Sequence, residues 1–162
     1  MQQDFAKTIR LDASPDAVWQ AVNDVRRVAS WLSIVREVRD VEPPRRYAAL
    51  LEDRIGPFAM RADLDIVVER SDGRQMRVTA SGEDRQVASR ISATIELAVW
   101  PDDTGTALGV TGRYDVTGKV ATLGAGAIRK KGDRILEEFF TSASKELGGR
   151  GPSVEPVESP SS

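Results

Sequence analysis

Residues 58–69 read Phe-Ala-Met-Arg-Ala-Asp-Leu-Asp-Ile-Val-Val-Glu, and an apolar side chain occupies every second position from Phe58 to Val68. This alternation has the two-residue period of a β-strand with one buried face, and over twelve residues it is hard to reconcile with a helix. Charged residues such as Arg61 and Asp63 fall on the opposite face, which should be solvated. The stretch therefore predicts a long strand that is half buried.

The same two-residue period extends from residue 34 to residue 117. Asp72-Gly73 is a hairpin turn signal, and Pro-Asp-Asp-Thr-Gly at 101–105 breaks the pattern again. Long strands joined by short turns predict an antiparallel meander with one wet face. The inward positions after the first turn are Met76, Val78, Ala80, Val87, Ser89, Ile91, Ala93, Ile95, Leu97, Val99, Leu108, Val110, Tyr114 and Val116.

Helical patterns lie on either side of the meander. After a first strand that contains Phe5 and Ile9, residues 14–16, Ser-Pro-Asp, supply an N-cap, a proline for the first helical position and an acidic residue for the positive end of the helix dipole. Two short helices are predicted here, the second ending near Trp31. Apolar residues then recur at helical spacing over 119–147, which predicts one helix of about 40 Å.

Three glycines, Gly124, Gly126 and Gly132, fall in the first half of that helix, where each costs about 1 kcal/mol relative to alanine. They indicate a close approach of the helix to the sheet, or space left for another molecule. Together the patterns predict an α+β domain over residues 3–147, in which a curved antiparallel sheet wraps around a long C-terminal helix. The Gly-, Pro- and Ser-rich segment 148–162 is predicted to be a disordered tail.

Composition excludes several classes of protein. The chain has 162 residues, of which 40% are hydrophobic and 30% charged, as in one globular domain, and its net charge of −2 gives no electrostatic case for a nucleic-acid partner. Without His or Cys there is no thiol nucleophile, no Ser-His-Asp triad and no zinc site built on these residues. No run approaches the roughly 20 apolar residues of a membrane span, and the N-terminus lacks signal-peptide features, so a cytoplasmic protein is expected.

The predicted inner face is rich in Met, Ile, Leu and Ala, and a Gly- and Ala-rich half of the helix lies opposite. Two outcomes stay open: aliphatic side chains fill the space, or an apolar cavity binds a hydrophobic small molecule. Trp31-Leu32 would form a lip at the cavity mouth or anchor the core. Tyr114 would hydrogen-bond a ligand carbonyl or cap the core with its hydroxyl in water. The residues predicted to line the ligand site are Trp31, Leu32, Met60, Leu64, Met76, Ile91, Ile95, Tyr114, Leu123, Ile128 and Ile135.

The order of elements resembles the helix-grip arrangement of the START/Bet v 1-like (SRPBCC) superfamily. Two runs narrow the resemblance to one family within it, the carbon monoxide dehydrogenase CoxG family. Residues 116–124, Val-Thr-Gly-Lys-Val-Ala-Thr-Leu-Gly, resemble the start of the last helix in CoxG proteins, and residues 55–57, Ile-Gly-Pro, resemble their short Val-Gly-Pro signature. The similarity covers residues 3–147.

This resemblance implies an accessory protein of a molybdenum-containing carbon monoxide dehydrogenase or a related hydroxylase. It implies a non-enzymatic carrier of a lipophilic quinone such as menaquinone, with transient contact at the inner face of the membrane. Two alternatives stay open. A cyclase-, aromatase- or dehydratase-type enzyme would transfer protons through Glu52 or Asp53 with Tyr114 or Arg113, although no carboxylate is expected on the inner face of the well-phased strands. A protein-interaction subunit would have a filled core.

Overall fold

The alternating stretch lies in the longest strand of a single antiparallel sheet. The structure is a computed structural model that describes residues 1–149. The strands are β1 (Gln2–Leu11), β2 (Val35–Glu42), β3 (Arg46–Ile55), β4 (Phe58–Asp72), β5 (Gln75–Asp84), β6 (Ser89–Asp102) and β7 (Gly105–Gly118), and the α-helices are α1 (Pro15–Val22), α2 (Val25–Ala29) and α3 (Ala125–Leu147). In the sheet they follow the order β1-β7-β6-β5-β4-β3-β2. The predicted meander is confirmed.

Cross-strand pairing confirms the inward and outward faces predicted for β4 to β7. Leu64 pairs with Gly82, which pairs with Ile91, and Val116 continues the same row on β7. Because directly paired residues of an antiparallel sheet share a face, the inward positions form one continuous apolar surface. The sheet curves and α3 lies against this surface, so the predicted helix-grip architecture is confirmed.

The two short helices begin where side chains satisfy their free backbone N–H groups. Ser14 Oγ accepts the backbone N–H of Ala17 at 3.2 Å, and Pro15 occupies the first helical position, as predicted. Asp24 caps α2 in the same way by accepting the N–H of Arg27 at 3.2 Å. α1 packs against β6 and β7, so the first helix belongs to the core.

The C-terminal helix is shorter than the sequence predicts. Residues 120–123 form a 3₁₀ turn, and α3 begins only at Ala125. Gly124 separates the two with a φ of 94°, in the left-handed region that favours glycine, so one helix cannot run through this position. The 23 residues of α3 span about 35 Å. Gly124 is therefore a break before the helix and not a residue of its first half.

Gly132 confirms the expected close approach between helix and sheet. A Cβ atom at this position would lie 2.8 Å from Cζ of Tyr114 on β7. The Tyr114 hydroxyl donates a hydrogen bond of 3.3 Å to the carbonyl of Ile128 on the preceding turn of α3. At Gly126, by contrast, an added Cβ would meet no atom within 4 Å. Of the two glycines within α3, only Gly132 is required by packing.

Alanine substitutions at these two positions are expected to have opposite effects. Gly132→Ala should lower the free energy of unfolding by about 1–3 kcal/mol, because the Tyr114 ring must move and the gain in helix propensity does not offset that strain. Gly126→Ala should be neutral or stabilise by up to about 1 kcal/mol. Urea denaturation measures both, and Gly132→Ala/Tyr114→Val should recover the loss. Equal effects at the two positions would contradict this packing.

Asp84, at the end of β5, carries a buried carboxylate with a structural role. It accepts the backbone N–H of Arg61 at 2.7 Å and that of Gln86 at 2.9 Å. These hydrogen bonds, that from Arg61 foremost, hold the pKa of Asp84 below its ordinary value although burial acts in the opposite direction. The carboxylate therefore fastens the turn between β5 and β6 to the start of β4.

The chain returns to its first strand after α3. Ala13 donates its backbone N–H to the carbonyl of Leu147 at 3.0 Å, Asp12 donates to the carbonyl of Gly148, and Gly149 forms an antiparallel bridge with Leu11. The remainder of the predicted disordered tail, residues 150–162, lies outside the described residues.

Candidate functional site

Apolar side chains remain partly exposed on the inner face of β5 and β6. Val78, Ala80, Ile91, Ala93 and Ile95 are all only partly buried, whereas other inward residues of the sheet are buried. The partly exposed five point toward the side covered by α3 and not toward the outer surface. Their exposure therefore indicates accessible space between sheet and helix. We call this group of five residues the inner slot.

Two alanines occupy the centre of the inner slot. Ala80 on β5 pairs directly with Ala93 on β6, and Val78 pairs with Ile95 in the next inward row. Small side chains on two neighbouring strands lower the floor at this point, since the aliphatic residues around them project further from the sheet. The depth of the slot is therefore greatest where these two methyl groups lie side by side.

α3 bridges the slot through two consecutive residues. Gly132 packs on Tyr114 of β7, and Lys131 forms an ion pair with Asp53 of β3, with Nζ 3.1 Å from Oδ2. In the sheet, β6, β5 and β4 separate these two strands. The helix therefore contacts both sides of the slot at one level while the floor between them stays partly exposed.

The two stretches that carry the family resemblance meet at the hairpin end of the sheet. Gly56, with a φ of 59°, forms the turn between β3 and β4. A Cβ atom on Gly56 would lie 3.0 Å from Cδ1 of Leu123, in the 3₁₀ turn that precedes α3. A larger residue here would be strained by its backbone and crowded by Leu123. The contact joins the β3–β4 hairpin to the start of the last helix.

Asp53 is a carboxylate on the inner face. It pairs with Met60 across the hairpin, and the residues two positions away on the same face, Leu51 and Ile55, are apolar. The side chain of Asp53 is 15% exposed and that of Lys131 26%. The sequence of β3 places apolar residues on both faces, so alternation could not assign Asp53 to either one. The expectation of an inner face without carboxylates covered only the well-phased strands.

A cleft of about 580 Å³ runs along α3 on the side that faces β3. Its walls are mainly charged or polar, with Ile34 and Ile135 as the apolar members. The volume suits a small molecule, but sites for small molecules are usually lined by apolar side chains. The cleft is therefore a polar approach, and Asp53 and Lys131 belong both to it and to the inner face. A second cleft, of about 560 Å³, lies among charged residues at the ends of β4 and β5.

The structure divides the eleven predicted lining residues into two groups. Five are buried in the core: Trp31, Met60, Leu64, Met76 and Ile128. Six are partly buried: Leu32, Ile91, Ile95, Tyr114, Leu123 and Ile135. Sequence reasoning did not select Lys131 as a site residue, because a lysine in the basic run 129–131 shows no sign of an inward partner.

Trp31 and Tyr114 each take one of the two roles left open for them. Trp31 is 1% exposed, and its ring stands edge-on to Phe139 at a centroid distance of 5.3 Å, so it anchors the core. Tyr114 uses its hydroxyl on the Ile128 carbonyl, and burial raises the pKa of that hydroxyl. A protonated phenol engaged with the helix positions α3 and is not free to act as a base.

The described residues, 1–149, contain no group of three or more acidic side chains placed to hold a metal ion. Within the same range no helix has both the length and the apolar character required to cross a bilayer.

The match to a protein family decides the assignment. The family model for carbon monoxide dehydrogenase CoxG proteins matches residues 8–148. The chain belongs to this family. CoxG membership and the helix-grip fold together support a role in binding a hydrophobic ligand, and the family name associates CoxG proteins with carbon monoxide dehydrogenase. No curated protein matches this CoxG-family chain in sequence.

Solved structures similar to this CoxG-family protein share its fold at low identity. A conserved protein from Geobacillus kaustophilus has 20% identity and a TM-score of 0.78, covering 90% of this chain and 95% of its own. A START superfamily protein from Mycobacterium smegmatis has 14% identity and a TM-score of 0.71, covering 89% and 96%. The ZhuI aromatase/cyclase from Streptomyces sp. R1128 has 14% identity and a TM-score of 0.67, covering 93% and 100%. These similarities establish the fold and leave the activity open.

Proposed function

We propose that this CoxG-family protein is a non-enzymatic carrier of a lipophilic quinone of the menaquinone type. The observation that carries the proposal is the inner slot, where apolar side chains beneath α3 stay partly exposed. An isoprenoid chain bound there would cover those side chains, and each buried methylene contributes about 0.8 kcal/mol. Nothing polar is needed along the chain, which fits the apolar floor.

The proposed partner is a molybdenum carbon monoxide dehydrogenase or a related hydroxylase, which would pass electrons to the carried quinone. Family membership supports this partner. Because such a quinone resides in the lipid bilayer, the carrier would be a cytoplasmic protein that contacts the inner face of the membrane only transiently, to load and unload. The carrier shields the isoprenoid chain from water between these two encounters.

A cyclase- or dehydratase-type enzyme is the second candidate, and one observation favours it: Asp53 lies on the inner face, where a substrate would be. Lys131 pairs with this carboxylate, and Tyr114, the other inward candidate, already donates to α3. A general acid or base must be free to exchange a proton with the substrate. These pairings favour a carrier over an enzyme.

Extraction and titration test the carrier. Protein purified from a host that makes menaquinone is extracted with organic solvent and analysed by mass spectrometry, and ligand-free protein is titrated with a menaquinone that has two isoprene units while tryptophan fluorescence is followed. We expect retained isoprenoid quinone and saturable quenching at one molecule per chain. The absence of both would overturn the proposal. Release of a chemically altered substrate analogue during turnover would favour the enzyme instead.

A further inference from the structure

We propose that the Asp53–Lys131 pair is the polar anchor for the oxygen-bearing head group of the bound molecule. In this arrangement Lys131 Nζ donates to a carbonyl oxygen of the ligand, and Asp53 Oδ2 accepts from a hydroxyl at the same place. The inference rests on the proposed function, since it names the chemical group recognised in the same site. It gives the ligand class as an amphiphile with an isoprenoid tail and an oxygen head.

The pair has unused hydrogen-bonding capacity. Lys131 Nζ donates to Asp53 Oδ1 at 3.2 Å, and Oδ1 also accepts the backbone N–H of Arg54 at 2.9 Å. Asp53 Oδ2 is fully buried, and although Nζ lies 3.1 Å away, the approach lacks hydrogen-bond geometry. An ammonium group has three N–H donors, and a carboxylate oxygen can accept more than one hydrogen bond. One donor and one acceptor are thus left side by side.

The surroundings of the pair make a purely structural role unnecessary. On the outer face of the same hairpin, Glu52 pairs with Arg61 at 2.9 Å, and both side chains are well exposed, as is usual for surface ion pairs. The Asp53 pair stands among apolar neighbours, where desolvation opposes the attraction, and two apolar side chains would stabilise the fold as well or better. A buried acceptor without a hydrogen bond adds a further cost. A ligand head group would supply the missing partner.

The position of the pair suits a head group. A tail lying in the inner slot passes beneath α3, and the pair joins the inner face to the polar cleft beside the helix. The head would therefore lie where an enzyme partner can reach it, while the tail stays covered. A carbonyl accepts from Lys131, and the hydroxyl of the reduced form donates to Asp53, so one site binds both redox forms of a quinone.

The test compares two probes of the same carbon skeleton: a menaquinone with two isoprene units, and the naphthalene hydrocarbon that lacks its two oxygens. For Lys131→Met we expect quinone affinity to fall by about tenfold or more, with less than about a twofold change for the hydrocarbon. Glu52→Gln, which breaks the neighbouring outer pair, should change neither affinity. Asp53→Leu/Lys131→Leu should fold as stably as the parent, keep hydrocarbon binding and lose the preference for the quinone.

The outcomes separate this inference from the carrier function. If the parent protein binds both probes and Lys131→Met and the double variant bind the quinone as well as the parent does, the anchor is overturned and the carrier stands. The same holds if both affinities fall equally. If the parent binds neither probe, the carrier function itself fails, and the anchor with it.

Discussion

Replacing Trp31 by alanine is expected to lower the free energy of unfolding by about 4 kcal/mol, the largest stability effect predicted for a single side chain here. The indole is 1% exposed and stands edge-on to Phe139, which in turn stands edge-on to Phe140 at a centroid distance of 5.5 Å. Removing the ring leaves a cavity at the junction of the short helices with α3. Backbone relaxation closes such a cavity only in part.

Chemical denaturation of Trp31→Ala measures this loss, and Trp100→Ala is the matched control. Trp100 is 43% exposed, so its removal should cost less than about 1 kcal/mol. A Trp31→Ala variant as stable as the control would show that Trp31 contributes little to the core, and the interpretation of Trp31 as a lip at a cavity mouth would return.

A second contact explains why this end of α3 is held firmly. Arg27 on α2 donates to Glu146 at 2.8 Å, and this hydrogen bond is the main reason that the pKa of Glu146 lies below its ordinary value. The Trp31 indole N–H lies near the same carboxylate without making a hydrogen bond of good geometry. The C-terminal half of α3 is therefore fixed by aromatic packing and charge, whereas its N-terminal half lies over the partly exposed slot.

The sheet could be predicted because one face of it is wet. Along most of β4 a change of side is also a change of polarity, so the period in the sequence is the period of the structure. β3 reads Arg-Tyr-Ala-Ala-Leu-Leu-Glu-Asp-Arg-Ile, with apolar residues on both faces, and the period is lost. This is the strand that carries Asp53. The inward carboxylate was hidden by a strand whose two faces look alike.

Helical spacing predicted α3 but not its first residue. The apolar positions Val120 and Leu123 fit a helical wheel whether the segment is an α-helix or a separate 3₁₀ turn. The difference lies in the backbone of Gly124, and composition alone does not reveal a positive φ. Ion-pair partners distant in the chain were equally beyond reach, because Lys131 and Asp53 are 78 residues apart.

The largest effect on binding is expected from Ala93→Phe, which should weaken binding of the two-isoprene menaquinone by about 100-fold or more while costing less than about 1.5 kcal/mol in stability. Ala93 is partly exposed at the centre of the slot, beside Ala80, so the new ring can occupy the ligand's space without displacing a packed side chain. Ser92→Phe is the control, because it places the same ring on the exposed outer face of β6 and should leave affinity unchanged. Fluorescence titration and urea denaturation of both variants decide the outcome. Unchanged affinity in Ala93→Phe would place the ligand elsewhere. A loss of several kcal/mol would mean that the space beneath α3 is already packed, since only a filled core resists an added ring so strongly.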